Sequence, residues 1–376
     1  VSTGPASPPT TAGPRVEHAE ATAYTIPTEG PEADGTMSWD ATTIVVVTVR
    51  SAGLVGTGWT YGSPALAALI DGALLPVLRD REVLAGSATW EAMARALRNI
   101  GRPGAASMAL SAVDNALWDL RARLLGQPIH RVLGGEDGRV RVYGSGGFTT
   151  EDEDRLAAEL AAWEAAGLSA VKIKIAESWG TNVPRDLRRV RQVRESVGPD
   201  VEVMVDANGG YTVKQALRVG RRLEELAVTW FEEPVSSDDL PGLRLLREHL
   251  DLDVAAGEYC DGVDYAARMC AARAVDCLQV DVTRCGGITE LLRIAAVAAA
   301  HHLEISGHCA PYEHVGVLAA LPNARHLEFF RDHARIEQLL FTGWSPVAGG
   351  TLGAGDSPGH GLTFDPVAAE PYRVAP

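Results

Sequence analysis

VEVMVDAN (residues 201–208), VTWFEEP (228–234) and LDVAAGE (252–258) are three short apolar runs, rich in β-branched residues, that each end on a carboxylate. The carboxylates are Asp206, Glu232 and Glu258, and they recur at equal intervals of 26 residues. The segments between the runs have helical periodicity. Short buried strands alternating with helices specify a parallel sheet made of βα units. All strands of such a sheet point the same way, so their ends gather on one rim. Three carboxylates on one rim repel one another unless a positive charge sits among them. A hard divalent cation with oxygen ligands suits that position, Mg²⁺ before others.

Outward from this stretch the same period continues. From Arg141 on, the strand candidates are Val140–Gly144, Ser169–Ile175, Val201–Asp206, Val228–Glu232, Leu252–Ala256, Cys277–Val282, Leu303–Ser306 and Arg325–Phe329. Helices fill the gaps. Two of them close at Gly167 and Gly198, and a capping box of Thr212 and Gln215 is expected to open a third. Eight strands at this repeat match a closed (β/α) barrel. No Gly-x-Gly-x-x-Gly follows a strand, which disfavours a dinucleotide-binding sheet.

The N-terminal part reads differently. Residues 1–15 are rich in Pro, Ser, Thr and Gly and are expected to be a disordered leader. Thr28–Asp40 reads as a polar loop carrying one exposed aromatic, Trp39. Thr43–Val49 is a strand with Gly56–Tyr61 as its hairpin partner, and helices are expected over Pro64–Leu78, Ala88–Ile100 and Ala105–Leu125. Strands followed by a run of helices make an α+β unit. The expected organisation is therefore an α+β cap at 16–139, a barrel at 140–340, and a Gly- and Pro-rich tail at 341–376 that folds back on the cap.

The chain has 376 residues, 46% of them hydrophobic, and a formal net charge of −15. That charge disfavours nucleic acid and anionic membranes as partners. No apolar run is long enough to span a bilayer, and no stretch reads as a signal peptide. The five cysteines form no Cys-x-x-Cys pair. Their odd number favours free thiols, so a reducing cytoplasm is the expected location.

Beyond the three carboxylates, several residues suit proton-transfer chemistry. Lys172 and Lys174 lie two apart in VKIKI (171–175) and so share one face of a strand, the barrel interior, while Val171, Ile173 and Ile175 face the helices. Two adjacent ammonium groups are expected to lower each other's pKa, which suits a general base. The bland alternative is an edge strand with solvated lysines. Asp281 ends one strand and His308 the next, so the carboxylate can orient the imidazole and raise its basicity. Taken alone, His308 would be a structural histidine, like His18, His130, His249, His301 and His326. Glu328, between apolar residues in the last strand, is either part of the site or the partner of a nearby arginine. Asn208 and Arg284 follow site strands closely enough to touch a polar substrate. Residues 331–335 line the mouth or form a solvated loop.

Taken together, Lys172-x-Lys174, Asp206-Ala-Asn208, Glu232-Glu233-Pro234, Gly257-Glu258, Asp281 with Gly286-Gly287, His308 and Glu328 resemble the enolase superfamily. The combination of a Lys-x-Lys strand with a His/Asp dyad is similar to the mandelate racemase subgroup. The resemblance covers the chain from about Val16. It implies a modified (β/α)7β TIM barrel under an α+β cap completed by the C-terminal tail. It implies one Mg²⁺ per subunit, with Mn²⁺ as a substitute, bound by Asp206, Glu232 and Glu258 and holding a substrate carboxylate. Lys174 would be the base on one face, and His308, paired with Asp281, the acid/base on the other. Lys172 would support Lys174, Glu328 would hydrogen-bond the carboxylate, and the cap loop around Trp39 would help to set specificity. A homo-oligomer is implied as well.

A proton alpha to a carboxylate is hard to remove because the product is a dianion, and a divalent cation with nearby ammonium groups offsets that charge. The superfamily is a known pattern of this kind, with a Lys or His base and Mg²⁺. The expected reaction is dehydration of a sugar acid, an aldonate or aldarate, to a 2-keto-3-deoxy acid. The alternative is a racemase or epimerase of a 2-hydroxy acid, and the alternative of another class is a non-catalytic (β/α)8 binding scaffold.

Overall fold

The structure, a computed structural model, describes residues 13–375. Of the leader expected at 1–15, residues 1–12 lie outside the described residues, while Arg15 pairs with Glu82 in an isolated bridge.

The chain opens with an antiparallel sheet of β1 (His18–Ala33), β2 (Ser38–Ser51) and β3 (Leu54–Tyr61), in that order. β1 is absent from the sequence reading, which placed a loop at Thr28–Asp40. Thr28–Ala33 instead continues the strand past a register shift between Pro27 and Glu32. β1 lies at a sheet edge, where missing proline donors do not break a ladder, and this is why Pro27 and Pro31 are tolerated. Only Asp34–Met37 turns, with Asp34 Oδ1 accepting the amides of Thr36 at 2.6 Å and Met37 at 2.8 Å. The expected helix at Pro64–Leu78 forms with a π-helical turn at Ile70–Leu74. The Ala105–Leu124 helix packs on β3 so closely that a Cβ at Gly58 would stand 2.3 Å from the Ala116 amide nitrogen. These elements share one apolar core built from Val45, Val47 and Val49 of β2 and from Leu66, Ile70, Leu110, Val113 and Leu117 of the helices.

Eight parallel strands follow: β4 (Arg139–Gly146), β5 (Ala170–Lys174), β6 (Glu202–Asp206), β7 (Val228–Glu232), β8 (Asp253–Ala256), β9 (Cys277–Val280), β10 (Glu304–Gly307) and β11 (Ala324–Phe330). β11 pairs with β4 in parallel, from Leu327 opposite Val142 to Phe330 opposite Ser145, and closes the barrel. Outward-facing Val171, Ile173, Val203, Val205, Phe231 and Val254 pack against the surrounding helices. Inward-facing Tyr143, Ala170, Met204, Trp230, Ala255 and Cys277 form a separate apolar layer. This is the period-2 split that strand geometry imposes, and it fills the barrel floor beneath the rim. The capping box does not form: Thr212 stands at the helix start without a side-chain bond, and the Gln215 amide reaches Gly180 O instead, at 2.6 Å.

The tail touches both parts. β12 (Phe341–Thr342) pairs with β14 (Thr363–Phe364), and β13 (Thr351–Gly353) pairs antiparallel with the start of β4. The Val374 amide donates to Ala23 O at 2.9 Å, and Arg123 Nη2 donates to Leu362 O at 2.6 Å. Among the described residues no helix is long and apolar enough to cross a membrane, and all five cysteines are buried free thiols.

Candidate active site and metal centre

Strand register assembles the first half of the site. Lys174 on β5 is paired with Asp206 on β6, and Asp206 with Glu232 on β7, so the three side chains stand side by side at the strand ends. Glu258 follows two residues beyond β8. Asp206, Glu232 and Glu258 each place a carboxylate oxygen within 4.8 Å of the others, and all three are buried.

This donor set fits a small hard cation. Glu232 Oε1 is buried with no hydrogen-bond partner, as are Glu233 Oε1 and Asn208 Oδ1 nearby. Burial, with the charge of Asp206 adding to it, pushes the Glu232 carboxyl up to about 8. Buried acceptors without donors are costly, and an ion bound by oxygen ligands removes that cost. Glu233, the other half of the Glu-Glu pair, is also buried. Burial and the neighbouring Glu258 hold its carboxyl well above the usual range.

Each carboxylate of the row has its own cationic neighbour. Lys174 Nζ bonds Asp206 Oδ2, Lys172 Nζ lies 2.6 Å from Glu232 Oε2, and His308 Nε2 lies 3.2 Å from Glu258 Oε2. The expectation of a lysine with a depressed pKa is corrected by this arrangement. Burial and the Lys172 charge do push Lys174 down, but Asp206, Glu328 and Glu232 outweigh them and hold it above its ordinary value. Lys172 is likewise held well above its ordinary value, with burial opposed by Glu232 and Glu328. Both ammonium groups are interior, so the edge-strand alternative does not apply.

The other half of the site comes from β9–β11. His308 Nδ1 lies 2.8 Å from Asp281 Oδ2, while Asp281 Oδ1 accepts both the amide and the hydroxyl of Thr283 at 2.7 Å. Although burial pushes it up, the His308 bond and the Arg284 charge hold Asp281 well below the usual carboxylate range. An ionised Asp281 only accepts, so Nδ1 carries the proton and Nε2 is the atom left facing Glu258. The partner of Glu328 is Lys172 at 2.8 Å, not an arginine. Glu328 also accepts from Ser145 Oγ at 2.6 Å and from the Cys309 amide at 3.0 Å.

The three residues expected to touch substrate have mixed settings. Asn208 follows Asp206 with a left-handed φ of 45°, and its backbone N–H donates to Asp206 Oδ1 at 2.9 Å. Arg284 reaches Glu258 Oε1 at 3.2 Å and Asp281 Oδ2 at 3.4 Å, with its guanidinium over the Tyr259 ring. Trp39 is half-buried rather than exposed. It donates to Glu32 Oε2 at 3.0 Å and meets Phe148 edge-on. Residues 331–335 are not a solvated loop, for they begin the Arg331–Leu340 helix and pair with the cap. Arg331 pairs with Glu32, Glu151 and Glu159, the Thr42 hydroxyl donates to Asp332 at 2.5 Å, and His333 stacks on Tyr61 at 3.4 Å.

Sequence reasoning passed over Tyr143, Ser145, Gln279 and Cys309. The Gln279 amide donates to Tyr143 OH at 2.9 Å, which places both in the bonded interior beneath Lys172 and Glu328. The signal was available: Gln279 lies two before Asp281 and Tyr143 two before Ser145, the spacing that puts residues on one strand face. Cys309, beside His308, joins Phe148, Phe330 and Trp39 in an apolar cluster, and Lys174 Nζ lies 6.0 Å from the Phe330 ring centre. One wall of the site is therefore apolar.

Comparison with known proteins matches both parts of the chain to family models. Residues 20–134 match the model of the mandelate racemase / muconate lactonizing enzyme N-terminal domain, and residues 155–368 match the enolase C-terminal domain-like model. The chain is 32% identical over 363 residues to D-galactarolactone cycloisomerase of Agrobacterium fabrum, covering 92% of this chain and 95% of that one. Among solved structures it is similar to a mandelate racemase/muconate lactonizing enzyme-like protein from Rubrobacter xylanophilus. There the identity is 44% and the TM-score 0.92, over 96% of this chain and 100% of that one. It is also similar to L-talarate/galactarate dehydratase from Salmonella typhimurium LT2 liganded with Mg and L-lyxarohydroxamate. That match has 27% identity and a TM-score of 0.91, over 100% of this chain and 97% of that one.

Proposed function

This chain belongs to the mandelate racemase / muconate lactonizing enzyme family of the enolase superfamily, and on that premise we propose that it removes the proton alpha to a carboxylate and dehydrates a sugar acid to a 2-keto-3-deoxy acid. The observation that carries the reading is the bracketing of the carboxylate row. Lys174 sits on its first member, Asp206, and His308 on its last, Glu258. Two proton-transfer groups at opposite ends of one anion-binding centre can address the two faces of a substrate carbon.

Asp206, Glu232 and Glu258 would hold one Mg²⁺. When bound, the cation supplies charge that orients the substrate carboxylate and offsets the second negative charge that develops on it. The residues of this chain do the rest. Engagement of Asp206 elsewhere removes the carboxylate that most strongly holds Lys174 protonated, so Nζ can release its proton to solvent and then take the alpha proton. Lys172, between Glu232 and Glu328, adds fixed positive charge beneath the reacting carbon. His308, with Nδ1 fixed by Asp281, delivers a proton from Nε2 to the departing 3-hydroxyl. Asn208 Oδ1, buried and without a hydrogen-bond partner, is an acceptor for a substrate hydroxyl.

A second reading is favoured by the apolar wall of Phe148, Cys309, Phe330 and Trp39. A racemase or epimerase of a 2-hydroxy acid with a less polar tail would use the same Lys174 and His308 without loss of water. The test is a screen of acid sugars and 2-hydroxy acids with Mg²⁺ in D₂O, trapping 2-keto products with semicarbazide. Keto acid formation is expected. Inversion at C2 with no keto acid selects the racemase reading, and neither exchange nor elimination across the library removes both.

The remaining class, a non-catalytic scaffold, is tested by calorimetric titration of Mg²⁺ into chelated protein. One binding event per chain, lost in Glu258→Gln, is the expected result. The same family membership supports a homo-oligomer, which light scattering tests.

A further inference from the structure

The rim carries a second set of metal-ligating atoms of different chemistry. Cys309 Sγ lies 3.3 Å from His308 Nε2 and 3.5 Å from Glu328 Oε2, and these last two atoms are 3.8 Å apart. All three residues are buried, and one donor atom from each lies within 4.8 Å of the others. A tetrahedral ion with bonds of about 2.3 Å to sulfur and about 2.0–2.2 Å to nitrogen and oxygen holds its ligand atoms about 3.3–3.7 Å apart. The observed triangle is close to that size without rearrangement. One thiol, one imidazole nitrogen and one carboxylate oxygen select a soft or borderline cation, whereas the three carboxylates beside them select a hard one.

We propose that His308, Cys309 and Glu328 form a site for a thiophilic divalent cation such as Zn²⁺ or Cd²⁺, and that its occupation silences the centre by capturing His308 Nε2. Three features of the surroundings support the assignment. Asp281 holds His308 Nδ1 at 2.8 Å, the carboxylate–imidazole–metal arrangement that strengthens a histidine ligand. The Cys309 amide donates to Glu328 Oε2 at 3.0 Å, and this contact fixes the thiol beside the carboxylate. Glu258 Oε2 lies 3.2 Å from the same His308 nitrogen, so the two cation positions adjoin and a soft ion also repels the hard one next to it. On binding, the Cys309 S–H bond and the Nε2–H bond of the cationic His308 break, sulfur–metal and nitrogen–metal bonds form, and both protons leave to solvent.

Catalytic inhibition depends on the reading under "Proposed function", but occupation of the site does not, and the two are measured separately. Cd²⁺ titrated into the full chain with excess Mg²⁺ present is expected to raise an ultraviolet thiolate-to-cadmium charge-transfer band that saturates at one ion per chain. Cys309→Ser is expected to lose the band, and Cys309→Ala likewise, with circular dichroism showing that both variants are folded. Zn²⁺ is expected to inhibit turnover, and Cys309→Ser to raise its inhibition constant by at least about 100-fold, more than loss of an outer-shell partner produces. A band that persists in both Cys309 variants overturns the proposal, as does saturating Cd²⁺ binding without one. Zn²⁺ inhibition with an unchanged inhibition constant in both Cys309→Ser and Cys309→Ala places the ion in the oxygen triad and overturns it too.

Discussion

Lys172 Nζ lies 2.6 Å from Glu232 Oε2, and neither side chain has any exposure to solvent. The same ammonium group is 2.8 Å from Glu328 Oε1. Lys172→Met therefore leaves two buried carboxylates without their cation. Removing one member of a buried pair costs about 3–5 kcal/mol. Thermal unfolding of the variant is expected at a clearly lower temperature than wild type. Mg²⁺ should raise it by more than it raises wild type, because the cation then replaces the charge that Lys172 supplied at Glu232.

Lys174 and His308 are expected to be separable by isotope exchange. Lys174→Ala and His308→Asn should each lower turnover by about 10²–10⁴-fold, the usual size of a general acid/base contribution. Each variant should still exchange the alpha proton of the substrate stereoisomer presented to the surviving group. Nuclear magnetic resonance in D₂O reads that exchange directly. If both variants abolish exchange of every stereoisomer, the two-face arrangement is wrong.

Gly35 sits where the cap turn presses on the barrel rim. A Cβ there would stand 2.7 Å from Ile175 O and 2.8 Å from Ala207 O, both backbone atoms beside the Lys174 and Asp206 strand ends. Gly35→Ala is expected to push the Asp34–Met37 turn off the rim. The cost is about 1–3 kcal/mol if the turn stays in place, and less if it lifts. Turnover should fall with a higher KM, while the chemical denaturation midpoint changes little.

Glu337 gives a stability profile with a definite sign. Burial pushes its carboxyl from an ordinary 4.5 up to about 8, although Tyr312 N, Trp59 Nε1 and Tyr61 OH all donate to it. A carboxyl raised by folding favours the folded state while protonated. Its contribution is whole below 4.5 and is lost as the pH rises through about 8. Over that window stability should fall by up to about 1.4 kcal/mol per pH unit for this proton. Glu337→Gln has no proton to lose. Its urea denaturation midpoints from about pH 5 to about pH 9 should trace a flatter line than wild type.

Much of the molecule was legible because strand periodicity is local. The Lys172/Lys174 pair, the outward Val171 and Ile173, and the 26-residue recurrence of Asp206, Glu232 and Glu258 are all consequences of side chains alternating along short strands, repeated once per βα unit. β1 was missed because its prolines and half-exposed faces look like a loop until the rest of the sheet shows it to be an edge. The resemblance to a family also rested on sequence, since each short motif fell in a fixed order.

What the sequence determined by itself is the rim: which residues end the strands, and which of them carry charge. Tertiary structure alone decided how those charges pair. Closure of β11 onto β4 brings Glu328 to Lys172, and Glu328 with Asp206 and Glu232 holds both lysines above their ordinary pKa rather than below it. The cap latch through Arg331 and Glu32, and the triangle of His308, Cys309 and Glu328, were equally invisible beforehand. The reason is physical. Side-chain alternation is set within a strand, whereas the electrostatic environment of a buried group is set by whichever distant segments the fold brings within a few ångströms of it.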